Sequence, residues 1–126
     1  MDPKETLKST RDFQNVFAHR QAAGDGLLVV FARQNGREES RLGLSISRKY
    51  GCAVKRNRWK RLVREGFRQV RKDLPENLDV VVVPGKRRHS DTLQEFEKSL
   101  KKLLRLVVKK LKMDIIERVS IQRDLE

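Results

Sequence analysis

The stretch from Arg48 to Lys72 limits the possible folds of this chain more than any other. It carries eleven Lys or Arg residues and one acid, Glu65. Read as a helix from Cys52 to Lys72, at about 100° per residue, it has two sides. Trp59, Leu62, Val63, Gly66, Phe67 and Val70 fall on one, and Asn57, Lys60, Arg61, Arg64, Arg68, Arg71 and Lys72 on the other. The fold must offer an apolar surface to the first side and leave the second open. Lys60, Arg64, Arg68 and Arg71 lack the acidic i±4 partners that a solvated helix usually carries; only Glu65 stands so, opposite Arg61. A polyanion suits this face, because each neutralised phosphate releases condensed counterions.

The rest of the composition agrees. A chain of 126 residues is one domain with a modest core, placed here at residues 1–112, with 113–126 as an extension or tail. Hydrophobic and charged residues each make up 37%, and the net charge of +13 opposes compaction through self-repulsion. Nucleic acid relieves that repulsion; an anionic membrane surface is the competing partner. No apolar run approaches the roughly 20 residues of a spanning helix. Met1-Asp2-Pro3-Lys4-Glu5 lacks the basic-then-apolar pattern of a signal peptide. No membrane association and a cytoplasmic location are therefore expected. The single cysteine, Cys52, excludes an intramolecular disulfide and reads as a small packing residue at the helix start. His19 and His89 are too few and too isolated for a metal site. No Ser/His/Asp set, carboxylate pair or phosphate-cradling glycine loop is visible, so the chain has no machinery of a standalone enzyme.

Ser9 or Thr10 can cap a short first helix, with Asp12 in its first turn and Phe13, Val16 and Phe17 on one face. Ala22 to Gly26 reads as a turn, and Leu27 to Ala32 as a strand. Gln34 to Ser40 reads as a hairpin loop, and Arg41 to Ser47, with period-two alternation, as a second strand. Val80 to Val83, four β-branched residues before Pro84-Gly85, suggest an interior strand. Ser90 or Asp91 can cap a last long helix with the stripe Leu93, Phe96, Leu100, Leu103, Leu104, Val107 and Leu111. Met113 to Glu126 can extend that helix or form a tail. The expected class is α+β: a small sheet with a strand–helix–strand crossover, packed with one short and two long helices.

The run Arg41-Leu42-Gly43-Leu44-Ser45-Ile46-Ser47-Arg48-Lys49-Tyr50-Gly51, followed by Ala53-Val54-Lys55-Arg56-Asn57-Arg58-Trp59-Lys60-Arg61-Leu62-Val63-Arg64-Glu65, resembles the protein subunit of bacterial ribonuclease P. Arg56-Asn57-Arg58 stands at the centre of the family's basic signature, and Asp12-Phe13-Gln14-Asn15-Val16-Phe17 matches its first helix. The resemblance spans about Leu7 to Leu111. Thr6 stands where the family commonly has a basic residue, and residues after Met113 have no counterpart. The resemblance implies an endoribonuclease complex that removes the 5′ leader from precursor tRNA. Its catalytic centre and its magnesium ions belong to a partner RNA, and the protein alone is inactive. It also implies a left-handed βαβ crossover, against the general right-handed rule.

The site residues follow from both readings. Arg48, Lys49, Lys55, Arg56, Asn57, Arg58, Lys60, Arg61, Arg64 and Arg68 are the candidates for the partner RNA, the arginines as planar forks for phosphate. Trp59 is expected in the core. Phe13, Phe17 and Phe31 read as core by pattern. The resemblance instead puts them, with Ser45 and Ser47, in a cleft that receives the single-stranded leader; Arg48 and Lys49 border the same cleft. Lys86-Arg87-Arg88-His89 is either a solvated loop or a further RNA contact. The rival reading is a structural ribosomal or RNA-chaperone protein without a role in cleavage. Self-association is left open.

Overall fold

The structure, a computed structural model, describes residues 6, 7, 9–18, 21–74 and 77–125, side chains excepted at 115, 118 and 121–125. Its elements run α1 (Thr10–Ala18), β1 (Gln21–Gly24), β2 (Leu28–Gln34), β3 (Arg41–Leu44), α2 (Ala53–Val70), β4 (Leu78–Pro84) and α3 (Leu93–Leu125). One-turn 3-10 helices, Arg48–Tyr50 and Arg71–Asp73, flank α2. The α+β expectation holds.

The β-branched run of β4 lies inside the sheet, whose order is β1-β2-β4-β3. β4 pairs antiparallel with β2 and parallel with β3, so α2 is the crossover between parallel neighbours. Two expectations about connections need correcting. Gln34 to Ser40 does not close a hairpin, because β4 separates β2 from β3. Ala22 to Gly26 is not simply a turn: Gln21–Gly24 forms a strand paired with β2, and only the residues after Gly24 turn. Gln-Ala-Ala-Gly has little strand propensity of its own; an edge of waiting hydrogen bonds on β2 supplies the preference. The second predicted strand is also shorter, ending at Leu44, with one further ladder bond from the Ser45 N–H to the Val82 carbonyl at 3.1 Å.

Strand alternation divides the core in two. Leu28, Val30, Ala32, Leu42, Val80 and Val82 face α2 and α3. They meet Trp59, Leu62, Val63, Phe67 and Val70 of α2, and Phe96, Leu100, Leu103, Leu104, Val107 and Leu111 of α3. Gly66 lets the two helices close, since a Cβ there would lie 3.0 Å from Leu100 Cδ1. The opposite face of the sheet carries a smaller cluster, Leu7, Val16 and Val81, with Phe13, Phe17, Phe31 and Val83 partly buried around it. Only α1 lies over that face among the described helices. Ser9 caps α1 by accepting the Asp12 N–H at 3.0 Å. Thr6 bridges to Leu42, and the Leu7 N–H donates to the Leu42 carbonyl at 3.0 Å, so this segment shields the outer edge of β3. Beyond Leu111, α3 continues as helix through Leu125, with Met113, Ile116 and Val119 exposed.

Candidate nucleic-acid interface

α2 realises the two-sided pattern. Trp59, Leu62, Val63, Gly66, Phe67 and Val70 are buried, while Asn57, Arg58, Arg61, Arg64 and Arg68 are exposed and Arg56 and Lys60 are half-buried. Its first turn contains no acid, although Lys55 and Arg56 stand there. Cations at the positive end of a helix dipole are unfavourable, and the cost is relieved when an anion binds. Arg48, Lys49 and Lys55 are exposed just before and within this end, and they extend the cationic surface. Arg58 is already engaged: Nη2 donates to the Asp91 carbonyl at 2.9 Å, and Nε lies 3.8 Å from its carboxylate. Both side chains of that pair are exposed, so the bridge is weak and can be exchanged for phosphate.

The open face of the sheet forms a second surface. Register aligns Phe31, Val81 and Gly43 in one row across β2, β4 and β3. α1 crosses this row. Phe13 rests on Gly43, where a Cβ would come within 2.7 Å of Phe13 Cζ, so only glycine admits the ring. Phe17 meets Phe31 edge-on, with centroids 5.1 Å apart and planes at 69°. All three rings are half-buried. They anchor α1 and still present edges or faces to solvent. Beside α1 the next row carries Val29 and Val83, both partly exposed, and exposed Ser45 follows at the end of β3. Ser47 is exposed further on, toward the Arg48–Tyr50 turn. Lys60 and Arg64 line one hollow with Phe13, Leu7, Leu42 and Leu44. The cationic helix and the aromatic face thus meet at Phe13.

A charged row that sequence reasoning missed fixes this geometry. Arg33, Asp79 and Arg41 are aligned across the three strands. Asp79 has no solvent exposure. Arg41 clamps it with two bonds, Nε to Oδ1 at 2.8 Å and Nη2 to Oδ2 at 2.7 Å, and Asn35 Nδ2 adds a third at 3.0 Å. Burial alone raises the Asp79 pKa, but the bonds from Arg41 and Asn35 and the charges of Arg41 and Arg33 outweigh it and hold it below its ordinary value. Arg41 Nη1 also reaches Asp12 of α1 at 3.5 Å, tying that helix to the sheet. Arg33 projects from the same face as Phe31, 26% exposed and 3.8 Å from Asp79, and so brings a cation to the aromatic surface.

Cys52 is the N-cap of α2, but it is exposed rather than packed, which corrects the expectation. The backbone N–H of Lys55 lowers its thiol pKa; desolvation opposes this, and the Val54 N–H and the Lys55 charge add to the lowering. The Lys86-Arg87-Arg88-His89 loop is tethered rather than free. The N–H groups of Arg87 and Arg88 donate to the Gly26 carbonyl at 3.2 and 3.1 Å, and the His89 ring lies 5.5 Å from that of Tyr50. His19 falls outside the described residues. No helix among the described residues is long and apolar enough to cross a membrane.

A family model described as Ribonuclease P matches residues 1–108. The ribonuclease P protein component of Thermotoga maritima is 39% identical over 95 residues, covering 75% of this chain and 78% of that protein. The fold is similar to a solved Staphylococcus aureus RNase P protein, with TM-score 0.70 and 30% identity over 81% of this chain and 94% of that one. It is also similar to the solved RNase P protein from Thermotoga maritima, with TM-score 0.68 and 34% identity over 82% and 94%. Sequence and backbone agree over the same core of helices and strands, and this chain belongs to the ribonuclease P protein family.

Proposed function

We propose that this protein docks on a catalytic RNA through the exposed face of α2 and holds the 5′ leader of precursor tRNA along the open face of the sheet. The observation that carries the reading is the junction at Phe13. There, the half-buried Phe13 ring of α1, on the same sheet face as the Phe17–Phe31 pair, shares a hollow with Lys60 and Arg64 of a helix whose cations face outward. Aromatic faces stack on bases without demanding a sequence, as a surface that receives variable leaders requires. Arg56, Asn57, Arg61, Arg64 and Arg68, with Arg48, Lys49 and Lys55 before them, serve the partner RNA; Arg58 joins by giving up Asp91. Phe13, Phe17, Phe31, Ser45 and Ser47 serve the leader. Cleavage chemistry and magnesium belong to the RNA. Among the described residues no three His, Cys, Asp or Glu side chains gather where they could hold a metal ion. The complex works in the cytoplasm.

The leader surface is tested by Phe17→Ala. Stacking is worth roughly 1–3 kcal/mol per base, so the variant complex should bind leader-bearing precursor about tenfold more weakly and bind mature tRNA unchanged. Equal losses for both RNAs would return Phe17 to a purely structural role.

A further inference from the structure

A second hollow, of about 460 Å³, opens at the amino end of α2. Tyr50, Trp59 and His89 form its aromatic walls, with Lys55 and Arg58 of α2 and Asp91 before α3 around them. We infer that this hollow is a pocket for one unstacked nucleotide, with the base laid against Tyr50 and His89 beside the buried Trp59 and the phosphate against Lys55 and Arg58. The inference rests on the RNA-docking role of α2 for its biological source: the occupant is a nucleotide of the docked RNA.

Four observations carry it. The volume lies within the range of about 300–1,000 Å³ typical of small-molecule sites. The rings do not consume one another's faces: Tyr50 and His89 are tilted by 54° with centroids 5.5 Å apart, and Tyr50 and Trp59 by 57° at 6.3 Å. Trp59 is 2% exposed, yet its indole N–H has no acceptor, an unusual cost for a buried donor. Finally, the Arg87 and Arg88 N–H groups pin the loop to the Gly26 carbonyl, and the adjoining His89, though exposed, keeps its ring beside that of Tyr50. Unstacked RNA bases are recognised in this way, splayed onto aromatic or histidine rings beside cations.

Trp59 is the only tryptophan in the chain, so its fluorescence reports directly on this wall. The full-length protein alone is titrated with the four nucleoside 5′-monophosphates, with ribose 5-phosphate and inorganic phosphate as controls. At least one nucleotide should change Trp59 emission saturably, while the two controls should not. His89→Ala should weaken that response about fivefold or more, the lower end of the stacking range. His89 is exposed and carries no core area, so the variant should fold as the parent does. No saturable response, an equal response to phosphate alone, or an unaltered affinity in His89→Ala would overturn the pocket. The docking role is scored separately, by whether the parent protein promotes leader removal by the RNA. A failed titration with intact promotion removes the pocket alone, whereas failed promotion removes the docking role.

Discussion

At the scale of single residues, the Asp79 carboxylate joins the central strand to its neighbours from inside the protein. It is fully buried and held by Arg41 and Asn35. Asp79→Asn leaves the buried Arg41 guanidinium with only the more distant Asp12 carboxylate as counter-charge, and breaking such a buried pair costs up to about 3–5 kcal/mol. Thermal unfolding should show a large fall in Tm. The pH dependence has a definite sign. Folding lowers the Asp79 pKa, so its contribution is complete above the ordinary carboxylate value of about 3.9 and drains away as pH falls through the lower folded value. Asp25 acts the same way. Burial pushes its pKa up, but the Ser99 hydroxyl and the Leu28 and Leu27 N–H groups bring it down. Parent Tm should therefore decline steeply below pH 4, and Asp79→Asn should show a shallower decline; identical profiles would contradict this account. None of this network was legible beforehand. An Asp ahead of a valine run reads as the polar start of a strand, and its match to Arg41 exists only once β3 and β4 are known to be parallel neighbours. Trp59, by contrast, was legible as core, because helical spacing alone put it beside Leu62, Val63 and Val70.

At the scale of elements, α2 divides its faces where periodicity placed them, because a helix's register is a local property. Sheet order is not local, so β1 and the separation of β2 from β3 escaped notice. The rings of Phe13, Phe17 and Phe31 read as core or as ligand surface, and both readings hold in part: α1 covers one row of the sheet and leaves the next open. The cations of α2 should act unequally. Arg61→Ala, Arg64→Ala and Arg68→Ala should each lower the slope of log affinity against log salt by about 0.7–0.9. Arg58→Ala should lower it less, because Asp91 already balances part of its charge. Equal slopes for all four variants would mean that the Asp91 bridge has no bearing on docking. The end of α3 is a different matter. Among the described side chains Leu111 is the last one buried, while Met113, Ile116 and Val119 are exposed. Residues 113–126 carry four acids against two bases, the reverse of the rest of the chain. A chain ending at Lys112 should unfold cooperatively and bind RNA at least as tightly at low salt, as circular dichroism and filter binding would show. Loss of cooperative folding would place the extension inside the domain.

At the scale of the whole molecule, the dominant quantity is the charge of +13 on 126 residues. Such a protein can sit between two RNAs and offset their mutual repulsion, work that divalent ions otherwise do. The sheet, α1 and α2 then act as a scaffold that sets an aromatic surface beside a cationic one. Family membership ties the chain to ribonuclease P; the proposed division of labour, with chemistry on an RNA and docking and leader contacts on the protein, is open to test. The direct test is cleavage of precursor tRNA by protein alone, catalytic RNA alone and the two together, across a magnesium titration at near-physiological salt. The account predicts no leader removal by thoroughly purified protein, activity of the RNA alone only at high magnesium and salt, and a clear fall in the magnesium requirement when the protein is added. Leader removal by the protein without RNA, or a magnesium requirement unchanged by the protein, would contradict it.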